Sequence, residues 1–410
     1  MVPLAARESG VQLHVSSLPD GRIGPSSRRF VRWLEAAGQS WWQVNPVGPP
    51  GRDGSPYGST STFAGWPGLL GGRARRVSAG AIDDFIARNP QWAPALMARE
   101  GRRAIGDQVR FDRAWAALRS DAHDHGVRLI GDVPFGVALH GHDRAAHPGL
   151  FRPGLQGGVP PDAFSARGQL WGTAVYDWRR HRAEGFAWWT ARLGRAARLF
   201  DLVRLDHFRG FVAAWAVGEH AGDARTGRWL PGPGRAPFDA AAAAGAMPPA
   251  IAEDLGVITP PVRALRQALG LPGMRVMQFG LGRPGRPGPH HPRAWPTDVV
   301  GYIGTHDNDT AVGWWRSLDP TARARLAWLD GPDVHWKLID LLARSAARLV
   351  IVQAQDIMGL GSDARMNDPA RSTGQWRFRL PAGAPGARAA RELRAITRDA
   401  DRLPGTSPAT

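Results

Sequence analysis

Cysteine is absent from the 410 residues, which excludes disulfides, a thiolate nucleophile and cysteine-ligated zinc. Lysine is nearly absent as well, since Lys337 is the only one among 52 basic residues. No stretch approaches the ~20 consecutive apolar residues that a membrane-spanning helix needs. Residues Met1 to Glu8 contain no basic segment followed by an apolar one, so no secretory leader is predicted. These absences predict a cytoplasmic protein with no membrane partner. A hydrophobic content of 43% over this length supports a sizeable core and excludes a disordered chain.

Charge is lopsided, at +16, and a strong positive balance ordinarily suggests phosphate backbones as partners. Here the arginines stand singly or in pairs instead of forming one tract, and Ala, Gly and Pro are abundant alongside them. That distribution fits compositional bias across a genome, and nucleic acid is not predicted as a partner. Tyrosine is scarce, at three residues against 18 tryptophans. Flat indoles stack on the apolar faces of sugar rings, although most of these tryptophans read as core.

Short apolar runs ending in polar residues recur at Val11–Ser16, Trp41–Val47, Val127–Val133, Leu202–Asp206, Ala250–Asp254, Met274–Phe279, Val299–Thr305 and Leu349–Asp356. Eight strands are what a (β/α)8 TIM barrel requires. Helical spacing lies between several of them, as in Phe30, Trp33, Leu34 and Ala37 closed by Gly38, and in Phe111, Ala114, Trp115 and Leu118 closed by Gly126. After the fifth run, Thr259 can cap a helix opening with Pro260 and Pro261 and carrying Val262, Leu265 and Leu269. The fold expected is therefore α/β, a barrel with loop insertions at the C-terminal face of its strands. Residues 1–67 would form the first part of the barrel, 68–126 a short helical insertion, 127–380 the rest of the barrel with its loops, and 381–410 a C-terminal tail. Residues 140–185 and 217–237 read as Gly/Pro-rich loops on the face where barrel enzymes build their sites.

Three carboxylates fall at the ends of the fourth, fifth and seventh runs: Asp206 in Val203-Arg-Leu-Asp-His-Phe-Arg209, Glu253 in Ile251-Ala-Glu-Asp-Leu-Gly256, and Asp307 in Gly304-Thr-His-Asp-Asn308. A barrel brings distant strand ends to one mouth. Retaining glycoside chemistry needs one carboxylate to attack the anomeric carbon while a second protonates the departing oxygen, and a third can favour the positive charge of the transition state. Arg204 stands two residues before Asp206, on the same strand face, and would keep that carboxylate ionised. Glu253 must instead hold a proton near neutral pH, which calls for desolvation or neighbouring negative charge. Asp132, at the end of the third run, reads as a supporting residue. His140, His142 and Asp143, like His290-His291, lack the ligand set and spacing of a zinc site and read as solvated loop, so no metal is predicted.

These three segments resemble the signature blocks of 4-α-glucanotransferases of the amylomaltase and disproportionating-enzyme group, barrel enzymes related to α-amylases. Further blocks agree in order, among them Ser55-Pro-Tyr57, Gly131-Asp-Val-Pro134, Gly158-Val-Pro-Pro-Asp-Ala-Phe164, Gly168-Gln-Leu-Trp-Gly172, Gly227-Arg-Trp229, Gln355-Asp356 and Ala364-Arg-Met-Asn367. The resemblance runs from about Gly10 to Arg379. It implies Asp206 as nucleophile, Glu253 as acid/base and Asp307 as transition-state stabiliser. It also implies that Arg204 and His306 bind the sugar at the cleavage point, that Asn308 binds substrate, that Asp162 and Gln169 line the groove, and that Tyr57 and Trp229 offer faces to glucose rings. The implied reaction uses no cofactor. It moves segments of α-1,4-glucan to the 4-hydroxyl of glucose or maltooligosaccharide acceptors. The stretch from Pro67 to Gly131 is shorter than in typical members, and Gly136, Gly141, His142, Thr173-Ala174, Ala370-Arg371 and Gln375 depart from the pattern. All three carboxylates are spared, but the groove is touched. Two alternatives follow from those departures: an α-glucan hydrolase with weak transfer, and a barrel that binds glucan without turning it over.

Overall fold

The computed structural model describes residues 6–405 apart from 52, 73–75, 162–164 and 372. Among the described residues the strands are β1 (Glu8–Gln12), β2 (Trp41–Gln43), β3 (Arg128–Val133), β4 (Phe151–Val159), β5 (Gln169–Tyr176), β6 (Leu202–Leu205), β7 (Ala213–Gly218), β8 (Arg228–Pro231), β9 (Ala250–Ala252), β10 (Gly273–Val276), β11 (Val299–Tyr302) and β12 (Leu349–Gln353). Eight of them form one sheet in the order β10-β11-β12-β1-β2-β3-β6-β9. With β4, β5, β7 and β8 set aside, that is chain order, and the last strand returns to pair in parallel with the first. Such an order belongs to a (β/α)8 barrel.

All eight expected strands are present, several of them shorter or shifted. The run at Met274–Phe279 leaves the ladder after Val276 and ends in a tight turn, Met277–Phe279. The run at Leu349–Asp356 becomes helical at Ala354. The first strand lies earlier than expected, at Glu8–Gln12, because the His14 side chain accepts the Ser16 N–H and starts a turn at Val15. Gly38 and Gly126 do end their helices, both at φ +70°, where a side chain would clash with its own backbone. Thr259 stands at the expected helix start, but its side chain makes no capping bond.

The chain divides into two compact units, Met1–Asn45 with Leu118–Ile130 and Gly270–Thr410, and Pro46–Ala117 with Gly131–Leu269. In the first, β12 is buried along its whole length, the continuous apolar signature of a strand covered on both faces. Trp41 and Trp42 are fully buried, and their indole N–H groups donate to Glu8 Oε2 at 2.9 Å and to the Leu13 carbonyl at 2.8 Å. Phe30, on the inner face of helix Pro25–Ala36, packs edge-on against Trp42 at 5.0 Å. The segment after Pro381 is not simply a tail: Ala387–Asp399 is a helix that buries Ala390, Leu393 and Thr397 and packs on helices Pro25–Ala36 and Val334–Ala343.

The second unit holds β6 and β9, paired in parallel, and an antiparallel sheet in the order β5-β4-β7-β8. Three of these four strands lie wholly or mostly inside the stretches expected to be loops, and Ala213–Gly218 borders one. Glycine and proline weaken strand signals, and the β4–β5 register shifts at Arg152/Gln156 and Gly157/Gly158 break the period of two. Asp143, expected in a solvated loop, is buried in a short helix, where its Oδ2 accepts the Thr62 N–H at 2.7 Å.

Candidate active site

In the second unit a buried arginine gathers the carboxylates. Arg204 is the third residue of β6 and projects with Asp206, two positions on, because side chains on one strand face repeat every second residue. Its Nη1 donates to Asp206 Oδ1 at 2.9 Å and to Asp132 Oδ2 at 2.9 Å, and its Nη2 lies 3.9 Å from Glu253 Oε2. Asp206 stands one residue beyond its strand, as Glu253 does beyond β9, and their backbone N–H groups still bond across to the Val133 and Leu205 carbonyls at 3.1 and 3.0 Å, while further donors hold the carboxylates. Asp206 Oδ2 accepts the Phe135 N–H at 3.3 Å. Glu253 accepts the His207 N–H at 2.8 Å on Oε2 and the Leu255 N–H at 3.2 Å on Oε1.

His207 explains how the first of those bonds is reached. It adopts a left-handed conformation, φ 44°, unusual for a residue with a β-carbon and costing ~1–3 kcal/mol. The turn aims its N–H at Glu253. The imidazole packs edge-on against Trp171 at 4.6 Å and near Phe135 at 5.7 Å, and burial pushes its pKa down to about 4, so it is neutral and adds no positive charge at pH 7.

Burial dominates the electrostatics. It raises Glu253 to about 8, opposed by Arg204 and assisted by the negative charge of Asp206. It raises Asp132 to about 7, again against Arg204. The guanidinium of Arg204 loses hydration by burial, yet Asp132, Tyr57, Asp206 and Glu253 together hold it charged. One fixed cation therefore serves an acid that keeps its proton at neutral pH and a carboxylate beside it.

Tyr57 is in this cluster, and its hydroxyl matters more to the geometry than its ring: Oη donates to Asp132 Oδ2 at 2.8 Å and accepts from Arg204 Nη1 at 3.4 Å. Tyr57→Phe should remove that bond and let Asp132 pull harder on Arg204. We expect kcat/KM on maltotriose to fall roughly 10- to 100-fold, the equivalent of one lost hydrogen bond to a charged group, with the melting temperature nearly unchanged. A variant matching its parent in steady-state kinetics would show that the hydroxyl is idle.

Asp307 lies in the first unit, just past β11, in a cluster of its own. Asn367 Nδ2 donates to Asp307 Oδ1 at 2.6 Å, the Arg365 guanidinium donates to its carbonyl at 2.6 Å, and His306 Nε2 is 3.3 Å from Oδ2. His306 is buried, with Nδ1 3.4 Å from Gln12 Nε2 and its ring 5.6 Å from Trp376. Asn308 is committed to the turn, since its Oδ1 accepts both the N–H and the hydroxyl of Thr305, at 2.9 and 3.0 Å.

The remaining expected residues lie on the antiparallel sheet or outside the described residues. Gln169 opens β5, and its Oε1 accepts the Trp171 indole N–H at 3.3 Å, which links it through Trp171 to His207. Trp229, on β8, is 40% exposed. One side of its ring is covered by the Arg209 guanidinium, 3.9 Å from the ring centroid. Asp162 lies outside the described residues. The sequence reading missed His207, Arg209, Trp171, Phe135 and Asn367. The available signal was adjacency: His207 and Arg209 flank Asp206 closely in the chain, and Trp171 and Asn367 stand within blocks already noted.

A family model described as 4-alpha-glucanotransferase matches residues 13–83 and 97–384. The 4-alpha-glucanotransferase of Thermus thermophilus is 35% identical, with 97% of this chain and 99% of that protein aligned. The chain belongs to the 4-α-glucanotransferase family. As a 4-α-glucanotransferase it meets the expectation drawn from its signature blocks. The chloroplastic/amyloplastic 4-alpha-glucanotransferase of Arabidopsis thaliana is 34% identical, over 92% of this chain and 82% of that one. Among solved structures, an amylomaltase from Streptococcus agalactiae in complex with acarbose superposes with a TM-score of 0.88 at 26% identity, covering 97% of this chain and all of the other. The alignment to the Thermus 4-α-glucanotransferase runs over 497 positions against 410 residues here, so that relative carries segments this chain lacks. The family model leaves 84–96 unmatched, inside the stretch read as shortened. No described helix is long and apolar enough to cross a membrane.

Proposed function

We propose that this 4-α-glucanotransferase works by retaining double displacement on α-1,4-glucans, with Asp206 as nucleophile, Glu253 as acid/base and Asp307 as stabiliser. Glu253 gives its proton to the glycosidic oxygen as Asp206 attacks the anomeric carbon. The leaving glucan departs, and the 4-hydroxyl of glucose or a maltooligosaccharide then displaces Asp206 while Glu253 takes the acceptor's proton. Asp307, with His306, would bind the sugar's hydroxyls and favour the positive charge that develops at the ring. The observation that supports this reading best is the shared guanidinium of Arg204, which contacts Asp206 directly and stands close to Glu253, whose proton is retained at neutral pH.

Incubation with maltotriose tests it. A ladder of longer sugars is expected, and rising reducing ends without any ladder would indicate a hydrolase instead. The pH profile supplies a second test. The Glu253 carboxyl is raised above its ordinary 4.5, so the acid form is present through neutrality and is lost as pH climbs past about 8. We expect kcat/KM to hold up to pH ~7 and then drop about tenfold per pH unit well above 8, with that limb abolished in Glu253→Gln. An alkaline limb that survived in Glu253→Gln would assign the proton to another group.

A further inference from the structure

Arg209 belongs to no part of the chemistry described above, yet from its own turn it touches two other segments. It sits in the turn Phe208–Phe211, directly after Asp206 and His207. Its Nη1 donates to the carbonyl of Val257 at 2.9 Å, and its guanidinium carbon lies over the Trp229 ring, 3.9 Å from the centroid. Val257 is four residues beyond Glu253 and is 67% exposed. Trp229 is braced on its edge by Trp215, 5.2 Å away. One side chain thus ties the turn after the nucleophile's strand to the loop after the acid/base's strand and to the β7–β8 hairpin.

The location matters because of what Glu253 does. An acid/base faces the oxygen that leaves in the first step and the oxygen that arrives in the second, and those two atoms occupy the same place. The loop that begins at Glu253 therefore borders the acceptor's position, and an aromatic surface locked to that loop is placed to hold an acceptor ring. The second step is the same for either acceptor: the incoming oxygen bonds to the anomeric carbon, the bond to Asp206 breaks, and the acceptor's proton passes to Glu253. Sugar and water differ only in what holds them there. Water needs no platform, and a glucose ring gains from a rigid one.

We propose that Arg209 is a positioning residue that fixes Trp229 against the loop following Glu253 and thereby favours a sugar over water as acceptor. The inference rests on the proposed double displacement. Releasing the clamp leaves the indole free to turn on its hairpin, so the acceptor must order it on binding, and the loss falls on acceptor affinity more than on donor cleavage.

The test uses the full chain with maltotriose as donor, with and without added glucose, in Arg209→Ala, Arg209→Lys, Trp229→Ala and Arg209→Ala/Trp229→Ala. For Arg209→Ala the KM for acceptor glucose should rise about 5- to 10-fold, the range of a partly desolvated cation–π contact. The ratio of ladder sugars to released reducing ends should fall by a similar factor, and kcat should change less. Arg209→Lys, which keeps the charge but loses the planar guanidinium, should lie between parent and Arg209→Ala, and it decides the matter if the alanine variant does not fold. Because Arg209 acts through Trp229, the double variant should be no worse than Trp229→Ala. Parent-like acceptor KM and product ratio in Arg209→Ala, or losses that add fully in the double variant, would overturn the proposal. A parent protein that leaves maltotriose untouched would instead overturn the double displacement itself.

Discussion

Asp206→Asn is expected to abolish maltotriose disproportionation by ~10⁴-fold or more, the scale of losing a covalent nucleophile. The substitution is nearly isosteric, and the amide oxygen can still accept from Arg204 Nη1, which now sits at 2.9 Å from the carboxylate. What it loses is the anionic oxygen that attacks carbon, together with a negative charge that helps keep Glu253 protonated. The amide must also face the Phe135 N–H with one of its two ends, so a cost to stability of about 1 kcal/mol is expected, far too little to explain the kinetic loss. The smaller Asp206→Ala variant allows a positive readout. With an α-maltosyl fluoride donor and added azide, azide should enter from the vacated side, displace fluoride and give the β-glycosyl azide. If Asp206→Asn processed maltotriose at the parent's rate, the nucleophile would have to be sought elsewhere.

Much of this was legible in the chain because buried parallel strands announce themselves. The β12 segment, covered on both sides, reads as an apolar run from Leu349 to Val352, and the short β9 and β11 segments are likewise free of charge. The carboxylates could be located because each follows such a run by one or a few residues, and Arg204 could be paired with Asp206 by the two-residue repeat alone. The antiparallel sheet was hidden for the opposite reason. β5 is half-exposed along its first half, its partner β4 carries Gly154, Gly157 and Gly158, and what defines both is pairing across the chain rather than any local pattern. Long-range polar contacts were equally hidden: nothing near Tyr57 signals that its hydroxyl will meet Asp132, 75 residues on. The left-handed turn at His207 was unreadable too, since even histidine, enriched there among residues with a β-carbon, adopts that conformation only rarely. Only the contacts of the folded chain, the Glu253 carboxylate above all, make that conformation worth its strain.

The largest effect on stability is expected far from the carboxylates, at Arg402. This side chain is completely buried near the end of the described residues. Its guanidinium donates to the carbonyls of Ala343 at 2.6 Å, Ala347 at 2.7 Å, Glu8 at 3.0 Å, Ser345 at 3.0 Å and Arg348 at 3.1 Å. Those carbonyls flank the starts of β1 and β12, the paired first and last strands of the barrel. Arg7 reinforces the same place by donating to Ser345 and Ala343 at 2.9 and 3.1 Å. Arg402→Ala would take the guanidinium from all five carbonyls, of which Ala343 and Ser345 keep Arg7 and Arg348 keeps the Glu8 N–H, and would leave a void where the side chain was. Each orphaned carbonyl costs ~1–3 kcal/mol unless water replaces the donor, and relaxation at the chain terminus recovers part of that. A loss of about 4 kcal/mol is expected, placing the change among the large single-residue effects and lowering the melting temperature by roughly 5 °C for a chain of this size. Arg402→Lys should recover little, because one ammonium cannot span the five acceptors that a planar fork reaches. Thermal denaturation followed by circular dichroism measures both. A shift of under 2 °C in Arg402→Ala would mean that the strand starts are held together without it.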